Sequence, residues 1–303
     1  MRGTSPGPRD GGAVSSPPGL AVTARDFGLK GPRGWVFQGV SVDAEPGSLI
    51  AVEGPSGSGR TCLLLALTGR MKATAGTATV GPAHLPKQLT AVRRLSAVAN
   101  VAGVTDLEPA LTVGEHLRER ALLQRRFGDS LRGLMRPHRE RTLEARLRID
   151  AALGAAGLDR EALPKGSRTV VRDLERLEAL RLSVALALIG RPRLLGVDDV
   201  GLKLSDAERV EAWALLRSLA DAGTTVVAVC SQAPDDAVVI STGTTNKAGT
   251  GTKAKSETEA EAGTQAEAET RAEADTDTDT DTDTTIDDGA KEDGDALAEA
   301  GRA

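Results

Sequence analysis

The sequence predicts an α/β fold built around a mainly parallel sheet, and three observations carry that expectation. The first is the segment Leu49 to Gly69, LIAVEGPSGSGRTCLLLALTG, in which an apolar run, a glycine-rich turn and a second apolar run at helical spacing follow one another. The second is a pair of short apolar runs, Leu194-Leu195-Gly196-Val197 and Thr225-Val226-Val227-Ala228-Val229, separated by a helical stretch from Ser205 to Leu219. The third is their order: strands alternating with helices at this spacing pair in parallel, because a crossover helix returns the chain to the same end of the sheet.

The elements follow in chain order. Residues 1 to 20 are dense in Pro, Gly and Ser and are expected to be disordered. Alternating apolar residues in Trp35-Val36-Phe37-Gln38-Gly39-Val40-Ser41-Val42 indicate a β-rich start. A turn at Glu45-Pro46-Gly47 leads into a strand from Leu49 to Val52, and a helix is expected from about Thr61 to Leu67. From Thr112 to about Ala185 the chain reads as helical, with amphipathic stretches rich in Leu, Ala, Glu and Arg. About 220 residues therefore make one domain, 21–240.

Composition narrows the class further. Hydrophobic residues make up 40% of the chain, but only 2% are aromatic and none is tyrosine, so the core is assigned to Leu, Val, Ile and Ala. Cys62 and Cys230 lie in apolar segments without CxxC spacing, which fits a reducing compartment better than a disulfide framework. The N-terminus lacks an apolar signal region, and no uncharged stretch approaches the roughly 20 residues that cross a bilayer. Membrane association is thus expected through a partner.

The net charge of −5 conceals two opposite parts. Residues 241–303 hold 6 Lys and Arg against 17 Asp and Glu, a net of −11, which leaves +6 for residues 1–240. That acidic tail is low in complexity and nearly free of large apolar side chains, so it is expected to stay disordered and solvated. Asp275, Asp277 and Asp279 have the spacing of the first ligands in a calcium loop. Thr280 at the glycine position and Ile286 at the glutamate position exclude that reading.

Gly54, Gly59 and Thr61 satisfy a phosphate-binding loop of the form Gly, four residues, Gly, Lys, Ser or Thr, except that Arg60 stands at the lysine. Glycines at 54, 57 and 59 let consecutive backbone N–H groups turn toward a phosphate, and the positive end of the following helix adds to the field. The candidate nucleotide-binding residues are Gly54, Pro55, Ser56, Gly57, Ser58, Gly59, Arg60, Thr61 and Cys62. Thr61 is also a candidate Mg2+ ligand. A lysine in this place is a compact charge, whereas arginine is longer, planar and forked, so charge is kept and position is not.

The run Val40-Ser41-Val42, then Glu45 through Thr61, with Leu67-Thr68-Gly69 and Ala75-Gly76, resembles the nucleotide-binding domain of ABC transporter ATPases. The likeness extends from about residue 21 to 235. It implies a P-loop NTPase of ABC type, with an antiparallel β part at its N-terminus and an inserted α-helical subdomain at about 112–185. It also implies ATP and Mg2+ as cofactors, a membrane permease subunit as partner, and a homo- or heterodimer with another nucleotide-binding domain. The place implied is cytoplasmic, peripheral at the inner face of the membrane.

The remaining motifs of that family fall at definite positions here, each altered. Leu194 to Asp199 matches Walker B apart from Gly196, with Asp198 as second Mg2+ ligand and Asp199 where the family has its catalytic glutamate. One methylene less retracts the carboxylate by roughly 1.5 Å, and about 1 Å of misplacement costs on the order of 100-fold in rate. The signature LSGGQ falls on Leu174-Glu175-Arg176-Leu177-Glu178, which also reads simply as helix. Glu175 facing a phosphate at about 4 Å, at an effective dielectric near 20, would cost on the order of 4 kcal/mol unless Arg176 offsets it.

No glutamine follows Leu95-Ser96-Ala97-Val98, where Asn100 is nearest; Ser231 takes the place of the switch histidine, and Leu202-Lys203-Leu204-Ser205 replaces the usual D-loop. His84, His116 and His138 lie elsewhere and are read as surface residues. Arg125, Arg126, Arg132, Arg136, Arg139, Arg141, Arg146 and Arg148 form a basic helical middle, but Asp129, Glu140 and Glu144 interleave and no aromatic platform accompanies them beyond Phe127. Solvated helix faces are therefore expected, with no nucleic acid.

The expected function is an ATP-binding subunit of an ABC-type transporter with weak or lost hydrolysis. The alternative is a non-hydrolysing nucleotide-sensing or structural partner of a membrane protein.

Overall fold

A computed structural model describes residues 19–127 and 138–242. The expectations for residues 1–18, for Asp129, Arg132 and Arg136, and for the acidic tail from 243 onward lie outside the described residues.

Two sheets organise the domain. Strands β1 (Val22–Gly31), β2 (Gly34–Ala44), β4 (Ala75–Val80) and β5 (Ala83–Leu85) form an antiparallel sheet in the order β2-β1-β4-β5. Strands β3 (Leu49–Glu53), β6 (Ser96–Ala99), β7 (Leu194–Val197), β8 (Thr225–Val229) and β9 (Val238–Ser241) form a parallel sheet in the order β6-β7-β8-β3-β9. The apolar runs at 49–52, 194–197 and 225–229 are strands, as their composition predicts. They are continuous rather than alternating because both faces of a covered parallel sheet are buried.

Strands β3, β6, β7 and β8 split their side chains between two cores, whereas the edge strand β9 packs Val238 and Ile240 on one side and exposes Val239 on the other. Ile50, Val52, Val227 and Val229 face helix α1 (Arg60–Leu67) and the antiparallel sheet, where Phe27, Leu63 and Leu67 are fully buried. Leu49, Ala51, Val226 and Ala228 face the opposite layer of helices, α5 (Arg176–Leu188) and α6 (Asp206–Asp221) among them. Burying each such aliphatic side chain contributes about 1.5–3 kcal/mol, so the cores that hold the parallel sheet between two layers are mainly aliphatic, with Phe27, Phe37 and Trp213 as their buried aromatic members.

Among the described residues the middle of the chain holds three helices: α3 (Val113–Phe127), α4 (His138–Ala155) and α5. The periodicity predicted helix through this stretch. Instead residues 156–175 form turns and two short 3-10 segments, with Gly157 and Gly166 in left-handed conformation and Pro164 between them. The remaining helix, α2 (Leu89–Leu95), connects β5 to β6.

Gly196, the residue that departs from an otherwise aliphatic strand β7, has a packing reason. A β carbon there would lie 2.9 Å from Leu64 Cδ1 and 3.2 Å from both Thr68 Cγ2 and Val98 Cγ1. Helix α1 thus rests on β7 at the one place without a side chain, and this seats the start of the helix beside the end of that strand.

Candidate functional site

The site forms where β3, β7 and β8 end at the same edge of the sheet. β3 passes into the loop 54–59, which Gly59 closes in left-handed conformation (φ 83°) as it starts α1. A β carbon on Gly59 would fall 2.2 Å from the carbonyl oxygen of Val36, so β2 fixes the loop from outside. Gly57 has a similar φ of 81° but open space where a β carbon would point. On the other side, the hydroxyls of Ser58 and Thr242 hydrogen-bond at 2.7 Å, pinning the loop to the residue after β9. Among the described residues, the N–H groups of Arg60, Thr61 and Cys62 have no protein acceptor. These are the unpaired donors of a helix first turn, oriented to receive an anion.

The two expected metal ligands meet. Thr61 donates its hydroxyl to Asp198 Oδ2 over 2.8 Å, and the other carboxylate oxygen accepts the N–H of Asp199 at 3.1 Å. Asp198 is only 3% exposed, and burial pushes its carboxyl above the usual range, opposed by the Thr61 hydrogen bond. A buried carboxylate and a hydroxyl are hard oxygen donors of the kind Mg2+ selects, and a cation would offset the cost of burying that charge. Among the described residues no group of three or more His, Cys, Asp or Glu is placed to hold a metal ion.

Arg60 extends across the crevice and donates from its guanidinium to the carbonyl of Cys230, just past the end of β8, over 2.5 Å. The Cys230 thiol is pushed up to about 11 by burial and by Glu53, with Arg60 opposing. Cys62, half-buried in the first turn of α1, has its thiol raised by burial and by Asp198. Both cysteines are free. Asp199 follows with φ 47° and lines a cleft shared with Asn100, Ser183, Arg172 and Arg176.

The other marked positions are placed differently. Leu174 and Glu175 are extended, and the helix starts only at Arg176, so the expectation that all five residues 174–178 are helix is corrected. The Glu175 N–H donates to Glu178 Oε2 at 2.9 Å, which ties this end of the helix to itself. Ser231 is exposed. Ser205 caps α6 and receives the Glu208 N–H, which explains a serine in that segment. His84 is exposed as expected, whereas His116 is buried at 8% exposure, its Nε2 3.3 Å from the Glu108 carbonyl. The turn after β6 folds over α3 and covers it. The side chain of His138 lies outside the described set.

The sequence marked Asn100 only as the residue nearest the expected glutamine, and gave no signal for Arg70. Asn100, in left-handed conformation at the end of β6, donates Nδ2 to the Asp198 carbonyl at 2.8 Å while its own N–H donates to Ser183 Oγ at 2.7 Å. It joins β6, β7 and α5 just behind the candidate metal ligands. Arg70 donates to the Thr68 carbonyl and to Ser96, and burial together with Arg120 and Arg93 lowers its guanidinium to about 10. Arg70 and Arg120 line a cleft of about 440 Å³ with Asp106, His116 and Leu123.

A nucleotide-type phosphate loop on a parallel sheet, with an antiparallel sheet at its flank and helices inserted before the Walker B strand, defines a P-loop NTPase cassette. The family model described as ABC transporter matches residues 37–200, just over half of the chain, and the chain belongs to that family. It is 30% identical over 203 residues to ABC transporter G family member 21 of Arabidopsis thaliana, a match covering 66% of this chain and 28% of that protein. It is also 30% identical over 192 residues to the Nod factor export ATP-binding protein I of Burkholderia thailandensis, covering 63% of this chain and 56% of that protein. The chain therefore spans under a third of the length of the plant relative. The solved structure of cbiO1 from Clostridium perfringens, part of the ABC transporter complex cbiONQ, shares the fold with a TM-score of 0.56 at 17% identity over 71% of this chain and 79% of that one. Among the described residues no helix is long and apolar enough to cross a membrane.

Proposed function

We propose that this chain is the ATP-binding subunit of an ABC-type transporter that holds a nucleotide with Mg2+ and turns it over slowly or not at all. The observation that carries this reading is the convergence of the open first-turn N–H groups of α1 with the Thr61 and Asp198 pair, while Arg60 is engaged with Cys230. In this reading the loop from Gly54 to Cys62 cradles the phosphates. Thr61 and Asp198 hold Mg2+, which would neutralise phosphate charge. Asp199 is the candidate base for an attacking water, one methylene shorter than the glutamate the family uses there.

The family supports further parts of the proposal. A permease is the expected membrane partner, and the cleft lined by Arg70, Arg120, Asp106, Glu119 and Leu123 is a mixed-charge, partly apolar surface on which a short helix from it could rest. A second nucleotide-binding domain would face Glu175 and Arg176, both exposed. In this proposal residues 21–240 act as one domain at the cytoplasmic face of a membrane, without nucleic acid. Glu175, which would present a carboxylate to a partner's phosphate, favours the alternative of a non-hydrolysing sensor or structural partner.

Titration of Mg-ATP into the full chain by calorimetry, with Thr61→Ala as control, tests the proposal. Binding heat without sustained turnover supports a cassette that binds and does not hydrolyse. Sustained heat abolished by Asp199→Asn makes it an ATPase. Absence of any heat sinks the nucleotide-binding reading.

A further inference from the structure

Arg60 is the residue whose placement the proposed function leaves unexplained. A lysine there would reach the β and γ phosphates as a compact charge. Arg60 instead carries its guanidinium past the loop to the Cys230 carbonyl. Because β8 lies between β3 and β7 in the sheet, Cys230 stands between the phosphate loop after β3 and Asp198 after β7. The guanidinium therefore occupies the part of the crevice that is beyond the loop, toward the metal ligands. Its charge is felt at both walls, since Arg60 favours ionisation of Asp198 on one side and of Cys230 on the other.

With a β-phosphate on the α1 first turn, a third phosphate would extend from it toward the side of the crevice that holds Arg60. The histidine that would meet the third phosphate is replaced by an exposed serine, Ser231. The nearest fixed positive group is then Arg60, already bonded to a backbone acceptor across the crevice.

We propose that Arg60 fills the terminal-phosphate position and makes this a site for a nucleoside diphosphate in preference to a triphosphate. The proposal rests on the nucleotide-binding reading above and narrows its ligand. Two phosphates satisfy the loop, while the guanidinium closes the end of the site and balances the β-phosphate charge. A triphosphate must first break the Arg60 to Cys230 hydrogen bond and move the guanidinium out of that space. Arg60 acts here as a specificity-determining residue.

Fluorescence anisotropy of methylanthraniloyl-labelled adenosine di- and triphosphate on the full chain with Mg2+ tests this, using wild type, Arg60→Lys and Arg60→Ala. Melting curves by circular dichroism accompany each variant to confirm folding. The expected result is a diphosphate preference of about tenfold or more in the wild type that disappears or reverses in Arg60→Lys. Equal or tighter triphosphate binding by the wild type overturns the proposal while leaving the nucleotide site intact. A diphosphate preference that persists unchanged in folded Arg60→Lys and Arg60→Ala overturns it as well. Failure of folded wild type and both variants to bind either nucleotide overturns the underlying reading, a pattern distinct from the other two.

Discussion

Thr61 and Asp198 lie 137 residues apart in sequence and share a 2.8 Å hydrogen bond that links the first turn of α1 to the end of β7. The pair joins the phosphate loop to the buried carboxylate, so chemistry on one side is felt by folding on the other.

Asp198 carries the pH dependence. Burial raises its pKa in the folded state above the unfolded value, so the folded chain holds that proton more tightly and stability falls as pH rises through the raised pKa. Asp198→Asn removes this pH dependence. Its melting temperature relative to wild type is expected to climb as pH rises above the ordinary carboxylate range, and added Mg2+ is expected to stabilise wild type but not the variant. A pH-independent difference between the two proteins contradicts the assignment.

Gly59 and Gly57 separate strain from collision. Both have φ near 80°, so alanine at either carries about 1–2 kcal/mol of left-handed backbone strain. Only Gly59→Ala also drives a β carbon against the Val36 carbonyl at 2.2 Å. Urea unfolding is expected to show Gly59→Ala as clearly the more destabilised, with its midpoint well below that of Gly57→Ala.

Gly196→Ala overpacks the contact between β7 and α1, for a cost of about 1–3 kcal/mol. Because Leu64 Cδ1 is the nearest atom, the cost is expected to shrink in a Leu64→Ala background. A double-mutant cycle by chemical denaturation reads this coupling, and additive losses would place the strain elsewhere.

Ser183→Ala leaves the Asn100 N–H without its side-chain acceptor in a part-buried contact that water can reach, so stability is expected to fall by no more than about 1 kcal/mol. Asn100 also holds the Asp198 carbonyl, so the substitution is expected to weaken nucleotide binding along with stability. Hydrogen exchange at the end of β6 would show the release directly.

Much of the architecture was legible because its signals are local. The runs at 49–52, 194–197 and 225–229 carry enough aliphatic residues to be read as strands, and Ser205 with Glu208 marks the start of α6 through a hydrogen bond three residues long. Elements without a run of their own were not foreseen individually. β6 has only Ser96-Ala97-Val98-Ala99, and β9 only Val238 to Ser241, and both are strands because a neighbouring strand offers them backbone partners. His116 was read as a surface residue, since a lone histidine on a polar helix gives no sign of the turn at Glu108 that covers it.

The sequence by itself determined the loop from Gly54 to Thr61, the helix behind it, the apolar strands and the opposite charge of body and tail, because spacing and composition act over a few residues. Only the tertiary structure decided that Arg60 ends at Cys230, 170 residues away, that Ser58 is held by Thr242, and that Asn100 braces Asp198. Those contacts depend on which strands become neighbours in the sheet, and that follows from burying both faces of β3 and β8 at once rather than from the character of any one segment.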